Sequence, residues 1–141
     1  MTKDYGASRA KKLAMSRDHR KLDAFNLADE MTVRVYLATR EFPAAETYGL
    51  RSQVRRAAVS VPTNIVEGCA RESRRDYARF LEVAFSSTRE VIYLVDLAGR
   101  LEMVDKKKAA DLTLFCGRVA AALAALIKVN RPRHSGTPSS P

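Results

Sequence analysis

The sequence contains no tryptophan and only two cysteines and two histidines among its 141 residues. Cys69 and Cys116 form neither a CxxC pair nor a disulfide framework, so we expect two buried free thiols in a reducing compartment. His19 and His134 fall near the two ends of the chain, which leaves its body without a histidine base or a histidine metal ligand. This scarcity argues against nucleophilic catalysis and against a zinc site.

Phosphate-binding and di-metal motifs are also lacking. The chain has no GxGxxG and no GxxxxGK[ST] segment. Glu67, Glu82 and Glu90 offer carboxylates, but di-metal sites in helical bundles use Glu-x-x-His pairs, which the sequence does not contain. We therefore predict that the protein is not an enzyme and that it binds no metal and no cofactor.

Long uncharged apolar runs are missing as well, so we predict that no segment spans a membrane. The N-terminal residues are basic but lack the apolar core of a secretory signal, which predicts a cytoplasmic protein. There is no alternating strand pattern, no Asn-Gly or Asp-Gly hairpin signal and no internal repeat. A length of 141 residues is typical of one domain.

What the sequence does have is positive charge, with a formal net charge of +9. Residues 1–20 carry six basic and two acidic side chains, and residues 128–141 carry three basic side chains and no acid. Composition therefore predicts a disordered basic arm over residues 1–20, a folded body over 21–130 and a disordered tail over 131–141. Within the body, residues 51–79 hold seven arginines against three acids.

Four stretches of the body repeat apolar residues at the spacing of a helix that is buried on one face. The first covers about residues 23–41 and the second about 46–70. Ser73 followed by Asp76 predicts the cap of a third helix, and Asp105 predicts the cap of a fourth. Four helices with short links predict an all-α, antiparallel, up-down-up-down four-helix bundle.

The second helix contains a proline in its middle, in RRAAVSVPTNIVEG at residues 55–68. Pro62 has no N–H group and its ring crowds the carbonyl of Ala58, which costs about 3 kcal/mol in a helix interior. The apolar stripe resumes on the same face, so we predict one helix that is kinked at Pro62. The hydroxyl of Ser60 or Thr63 is a candidate donor to the freed carbonyl.

Several apolar residues fall outside the four stripes, and a second buried surface is one explanation for them. They predict a homo-oligomer, whereas scattered exposed hydrophobic residues are the alternative. The residues are Val33, Leu37, Phe85, Ile92 and Leu97.

Residues 42–68, FPAAETYGLRSQVRRAAVSVPTNIVEG, form a long ordered motif that continues in residues 71–84 and in the pair Ser87 and Glu90. This motif resembles the four-helix bundle family first noted as open reading frames in intervening sequences of bacterial 23S rRNA genes. The resemblance implies a bundle that assembles as a homopentamer, and it implies no biochemical activity. The family is similar in architecture to the accessory variability proteins of diversity-generating retroelements, which are basic pentamers that bind nucleic acid and a reverse transcriptase.

Within the motif, Glu67 and Glu90 are predicted to pair with arginines or to cap backbone groups near the kink, and Asn64 to do likewise. Gly68 is predicted to relieve crowding where the second helix ends.

Two hypotheses for function remain open. In the first, an oligomer binds RNA or DNA, or organises a nucleoprotein, through phosphate contacts that are independent of base sequence and sensitive to salt. In the second, the oligomer is structural or binds another protein, and its arginines pair with acids such as Glu72 and Asp76 between subunits. Burial of Arg55 and Arg56 against acids would weaken the first hypothesis. Its candidate phosphate-binding residues are Arg55, Arg56, Arg71, Arg74, Arg75 and Arg79.

Overall fold

A computed structural model describes residues 17–132, and helices account for most of them. Short 3₁₀ turns at His19–Lys21 and Ala44–Glu46 precede the first two helices, and residues 17–132 contain no strand. The predicted all-α fold with four helices is confirmed. Most of the predicted arm and tail, at residues 1–16 and 133–141, lies outside the described residues. The helices are α1 (Asp23–Thr39), α2 (Leu50–Cys69), α3 (Arg74–Arg100) and α4 (Lys106–Asn130).

Each helix packs against its neighbours in sequence, and α1 also packs against α4. No contact joins α1 to α3 or α2 to α4 within the described residues, so the four helices lie around a common core. Residues later in α1 contact residues earlier in α2. Thr32 reaches the carbonyl of Ala58, whereas Tyr36, one turn later in α1, meets Arg55, almost one turn earlier in α2.

The predicted apolar stripes form most of this core. Tyr36, predicted to widen the α1 stripe, is 40% exposed, and four predicted stripe residues are only partly buried: Leu27, Ala38, Phe80 and Leu126. In α4, Ile127 is buried instead of Leu126. The hydroxyl groups of two buried threonines form hydrogen bonds within their own helices. Thr39 donates to the carbonyl of Val35 and Thr88 to that of Ala84, each at 2.8 Å. Every residue of the predicted α2 stripe is buried: Leu50, Val54, Ala57, Ala58, Val61 and Ile65.

The predicted caps of α3 and α4 are confirmed. Ser73 accepts a hydrogen bond from the backbone N–H of Asp76 at 3.0 Å, and Asp105 accepts one from Lys108 at 3.2 Å. The predicted start of α2 near residue 46 is wrong, because α2 begins at Leu50. Glu46 belongs to the preceding 3₁₀ turn and caps α2, its carboxylate accepting from the N–H of Leu50 at 2.9 Å.

Helix α2 continues without interruption through Pro62. The carbonyl of Ala58, which would bond to an N–H at position 62, instead accepts from the hydroxyl of Thr32 in α1 at 3.1 Å. Thr63 donates to the carbonyl of Val59 at 2.7 Å. The proposed donors to Ala58, Ser60 and Thr63, are therefore wrong, and α1 supplies the donor.

Of the five apolar residues outside the predicted stripes, three pack partly against the core and two lie on the surface. Phe85, Ile92 and Leu97 belong to the first group. Val33 and Leu37 have 54% and 51% of their surface exposed, so α1 retains an apolar outer face that this chain alone does not cover.

Helix α4 is long and apolar enough to cross a membrane by length and composition, with a mean hydropathy of 1.8 over its most apolar window. The core helix of a small bundle meets the same criterion, and a third of that window is buried here. Its buried residues, from Ala109 to Ile127, pack into the shared core of the four helices. The absence of a membrane span and the cytoplasmic location stay predictions.

Candidate nucleic-acid interface

A tight link joins α2 to α3 at one end of the bundle. Gly68 permits close approach of the two helices, since a Cβ atom there would lie 2.9 Å from the Cβ of Phe80 and 3.2 Å from the Cδ2 of Tyr77. Residues 70–73 then reverse the chain, and the hydroxyl of Ser73 starts α3. The arginines on both sides of this link are thereby gathered around one turn.

We call Arg71, Arg74, Arg75 and Arg79 the turn arginines. The guanidinium carbons of Arg71 and Arg79 lie 4.7 and 5.0 Å from the centroid of the Phe80 ring. Stacking on an aromatic ring orders a guanidinium group while leaving its N–H edge available for hydrogen bonds. Both side chains remain substantially exposed, so these edges are accessible to an external anion.

Arg74 and Arg75 occupy the first turn of α3 and are exposed. Neither forms a hydrogen bond or an ion pair with any residue between 17 and 132. A cation at a helix N-terminus opposes the helix dipole and costs about 0.3–1 kcal/mol. These two arginines therefore do not stabilise the helix. A phosphate group at this position would be attracted by both the arginine side chains and the helix dipole.

The acids near the turn arginines hold them only loosely. Glu67 lies 3.5 Å from Arg71, and Asp76 lies 4.0 Å from Arg79. All four side chains are exposed, and exposed ion pairs of this kind typically contribute about 0.2–1 kcal/mol. A phosphate group can replace such a contact at little cost to the fold.

Both ends of the described chain lie near the turn arginines. Arg17 donates to the backbone carbonyl of Arg71 at 3.1 Å and lies 4.1 Å from the ring centroid of Tyr77. Arg131 binds the carboxylate of Glu82 in α3 through two nitrogens, at 3.2 and 3.1 Å. Residues 1–16 and 133–141, which continue from these points, contain five basic residues and one acid. We call the region of the turn arginines, Arg17 and Arg131 the basic end.

Arg55 lies away from the basic end, toward the opposite end of α2. Its guanidinium donates to the hydroxyl of Thr39 at 2.8 Å and to the carbonyl of Tyr36 at 3.2 Å, and it stacks on the Tyr36 ring. Arg51 similarly donates to the carbonyls of Thr39 and Phe42. The last carbonyls of a helix lack intrahelical donors, so these arginines satisfy the C-terminus of α1. Arg55 is half-buried against a hydroxyl and a carbonyl group, not against acids.

Arg56 is exposed and donates to the hydroxyl of Ser52 at 3.1 Å. It lies on a shallow polar groove of about 410 Å³ between α2 and α3, which Glu90 also lines without forming an ion pair within the described residues. The sequence prediction grouped Arg55 and Arg56 with the turn arginines, and the structure separates them. Arg55 to Cys69 spans about 20 Å of helix at 1.5 Å per residue.

A chain of short hydrogen bonds lies beside this groove, which Ser60 and Ser87 line. The amide of Asn64 donates to the carbonyl and hydroxyl of Ser60 at 2.7 and 3.0 Å, and the hydroxyls of Ser60 and Ser87 lie 2.9 Å apart. The bond between Ser60 and Ser87 ties α2 to α3 two residues from Pro62. No basic side chain able to activate a serine contacts either hydroxyl within the described residues, so the pair has the features of a structural contact.

The remaining candidate nucleophiles are buried and protonated. Burial raises the pKa of the Cys116 thiol to about 12 and also raises the pKa of the Cys69 thiol. Burial raises the pKa of Tyr77, which contacts Cys69, to about 12 as well. The prediction of two buried free thiols is confirmed. Residues 17–132 contain no group of three His, Cys, Asp or Glu side chains placed to hold a metal ion.

Sequence reasoning missed Arg17, Arg51 and Thr32, because each acts on a residue distant in sequence. Arg17 was assigned to the disordered arm, yet it stacks on Tyr77. His19, assigned to the same arm, packs its ring edge-on against Phe25 with 4.7 Å between centroids. No local sequence pattern signals such contacts. An arginine that stands among the apolar positions of a helix is a clue that its side chain packs against another element.

The four helices and the basic end define a small all-α protein with a cationic surface at one end. The sequence model of the 23S rRNA-intervening sequence protein family matches residues 20–125, and the chain belongs to this family. The family resemblance predicted from the motif is thus confirmed.

The fold is similar to the crystal structure of a protein of unknown function from the S23 ribosomal protein family of Bacteroides thetaiotaomicron. The two structures superpose with a TM-score of 0.70 at 21% sequence identity, over 74% of this chain and 98% of the other. A likeness at this level of identity supports the fold. A comparison with curated proteins finds no match.

Proposed function

We propose that this protein is a non-enzymatic homo-oligomer that binds nucleic acid, or organises a nucleoprotein, through its basic end. The observation that carries the proposal is the pair Arg74 and Arg75, exposed at the N-terminus of α3 with no side-chain partner between residues 17 and 132. Arg71 and Arg79 flank this pair, and both basic terminal segments begin nearby. Binding follows the phosphate backbone, since the described helices carry no recognisable base-reading motif.

The proposal includes the architecture of the assembly. The chain is an antiparallel up-down-up-down bundle, supported by contacts such as Thr32 to Ala58 and Tyr36 to Arg55. Helix α2 is kinked at Pro62, supported by the hydrogen bond that Ala58 receives from α1 instead of from position 62. The copies form a pentamer, as the family resemblance implies, which multiplies the charge of one basic end and adds avidity.

The test is a fluorescence-anisotropy titration of labelled single-stranded RNA and duplex DNA from low to near-physiological salt, with subunit number measured by light scattering. The variant is Arg74→Ala/Arg75→Ala. A matched control exists in Lys106→Ala/Lys107→Ala, which removes the same charge from the first turn of α4 at the opposite end of the bundle. Lys106 and Lys107 are likewise exposed and unpaired within the described residues.

We expect the arginine variant to reduce the slope of log K against log salt by about 1.8 on duplex DNA, or about 1.4 on single strands, for each basic end that contacts the nucleic acid. Its affinity falls roughly tenfold or more near 0.1 M salt, because two phosphate contacts are lost. The lysine variant keeps most of the wild-type affinity. Equal losses in the two variants would show that only net charge matters, and no binding at low salt would refute the proposal.

A second function, a structural or protein-binding oligomer without nucleic acid, is favoured by a different observation. Arg51 and Arg55 serve the fold, and large exposed apolar side chains occur on all four helices. A defined oligomer that binds neither RNA nor DNA would support this second function.

A further inference from the structure

Part of the exposed apolar surface forms one patch on the outer side of α1 and α2. Tyr36 lies on the α2 side of α1, because Arg55 stacks on its ring. Val33 lies beside both Tyr36 and Leu37 at helical spacing, and Leu37 faces α4, where it lines a groove with Leu112. Val59 comes directly after Ala58, whose carbonyl accepts a hydrogen bond from Thr32. We call this the first patch, formed by Val33, Tyr36, Leu37 and Val59, which are 54%, 40%, 51% and 40% exposed.

A second patch lies on the outer side of α3 and α4. Asp96 of α3 shares one groove with Ala110 and Thr113 of α4, and Tyr93 precedes Asp96 by about one turn. Leu114, Gly117 and Ala121 continue from Ala110 at helical spacing. Open space surrounds the position of a Cβ atom at Gly117, so another helix can approach the backbone there. The second patch comprises Tyr93, Leu114, Gly117 and Ala121, of which Tyr93 and Leu114 are 58% and 73% exposed.

The two patches lie on different sides of the bundle and at the same level along it. They lie on different sides because the first is centred on α1, which packs on α2 and α4 but not on α3, whereas the second spans α3 and α4. They lie at the same position along the bundle axis because Arg34, in the middle of α1, lies 4.0 Å from the ring centroid of Phe115, which is next to Leu114 in α4. A second copy that is rotated about an axis parallel to the bundle therefore brings the first patch against the second without a shift along the bundle axis.

Unpaired charges beside the patches are complementary. Asp29 precedes Val33 by one turn of α1, and Arg89 precedes Tyr93 by one turn of α3. Both are exposed, and neither has an ion-pair partner within residues 17–132. Because α1 and α3 both begin near the basic end, Asp29 and Arg89 are displaced from their patches in the same direction. Side-by-side copies thus place the carboxylate opposite the guanidinium.

We infer that the first patch binds the second patch of another copy of this chain, with Asp29 facing Arg89. The inference rests on the proposed homo-oligomer and specifies its interface. Such a contact is head-to-tail, because the two surfaces differ, and a repeated head-to-tail contact with the right rotation closes into a ring. The apolar patches supply the buried area and the charge pair fixes the orientation.

The test uses Leu37→Asp in the first patch and Leu114→Asp in the second, with Val83→Asp as a control at an exposed valine outside both patches. We expect each patch variant to be a monomer of about 15.7 kDa by light scattering and the control to assemble like the wild type. Circular dichroism and thermal unfolding verify that each variant is folded.

Mixing the two patch variants gives the decisive result. Leu37→Asp retains an intact second patch and Leu114→Asp an intact first patch, so the mixture forms a 1:1 dimer and nothing larger. Charge reversal adds an independent readout, since Asp29→Arg and Arg89→Glu each weaken assembly at least tenfold and the double variant regains it.

A wild type that assembles normally while the patch variants also assemble would overturn this interface and leave the proposed function standing. A mixture without dimers would overturn the head-to-tail contact. A wild-type monomer at all concentrations would overturn both the interface and the proposed oligomer.

Discussion

The hydrogen bond from Thr32 to Ala58 gives a sharp prediction about why α2 tolerates a proline. Pro62 cannot donate to the carbonyl of Ala58, which is fully buried and out of reach of water. The hydroxyl of Thr32 lies 3.1 Å from that oxygen and 2.9 Å from the carbonyl of Ala28, so its one hydrogen is shared between the two. Replacing Thr32 by valine keeps the shape and removes the donor.

A buried polar group without a partner costs about 1–3 kcal/mol. We expect Thr32→Val to lower the free energy of unfolding by that amount. In a Pro62→Ala background the loss should shrink to less than about 0.5 kcal/mol, because the N–H of residue 62 then bonds to the Ala58 carbonyl four residues earlier. The two substitutions should therefore be coupled by roughly 1 kcal/mol or more.

The measurement is urea unfolding followed by circular dichroism, at one fixed protein concentration because the stability of an oligomer depends on concentration. Thr63→Val is the control, since Thr63 is exposed and water can replace it at the carbonyl of Val59. We expect the control to stay within about 0.5 kcal/mol of wild type. An equal cost of Thr32→Val in both backgrounds would show that Thr32 acts through packing and not as the donor that Pro62 requires.

Three further predictions concern Gly68, Cys116 and Arg55. Gly68→Ala should destabilise the protein by about 1–2 kcal/mol in urea, because overpacking against Phe80 outweighs the better helix propensity of alanine; a stabilised variant would contradict the close approach. Burial raises the pKa of Cys116 in the folded protein to about 12 from its ordinary 9.0. As the pH rises, this thiol therefore ionises in the unfolded chain before it ionises in the folded protein. The free energy of unfolding should hence fall as pH rises from 9 toward 12, and a flat profile that persists up to pH 11 would refute this. Arg55→Ala should lower the free energy of unfolding by about 0.5–1.5 kcal/mol, without changing the salt dependence of nucleic-acid binding, because the buried hydroxyl of Thr39 loses a hydrogen-bond donor. Arg56→Ala is its control and should leave the stability within about 0.5 kcal/mol of wild type, as urea unfolding of both variants will test.

The features that the sequence predicted well are local ones. Ser73 and Asp105 cap helices that begin one residue later, and the α2 stripe is buried throughout. Caps and stripes depend on residues within four positions of each other, so a single sequence contains the information. The start of α2 was missed because Glu46 caps it from a 3₁₀ turn, a role that periodicity does not reveal.

The candidate site was predicted only in part, because charge density along the chain does not specify location in space. Arg55 and Arg71 are sixteen residues apart in sequence, and the length of α2 places them toward opposite ends of the bundle. What separates their roles is the neighbour in the fold: Arg55 meets the end of α1, whereas Arg71 stacks on Phe80 at a turn. Conversely, Arg17 joins the basic end through its contacts with Tyr77 and with the carbonyl of Arg71.

The interface and the basic end make a joint prediction, because they occupy different parts of the bundle. Copies joined side by side in one orientation present all their basic ends on the same face of the assembly, so one nucleic acid contacts several of them. The monomeric Leu37→Asp variant keeps Arg74 and Arg75 but loses this avidity. Its affinity for a long RNA should therefore fall by about 10²-fold or more, with a shallower salt dependence, while its affinity for an oligonucleotide that spans one basic end stays near the wild-type value. Equal affinities of variant and wild type for the long RNA, in anisotropy titrations at matched subunit concentration, would mean that the basic ends do not act together.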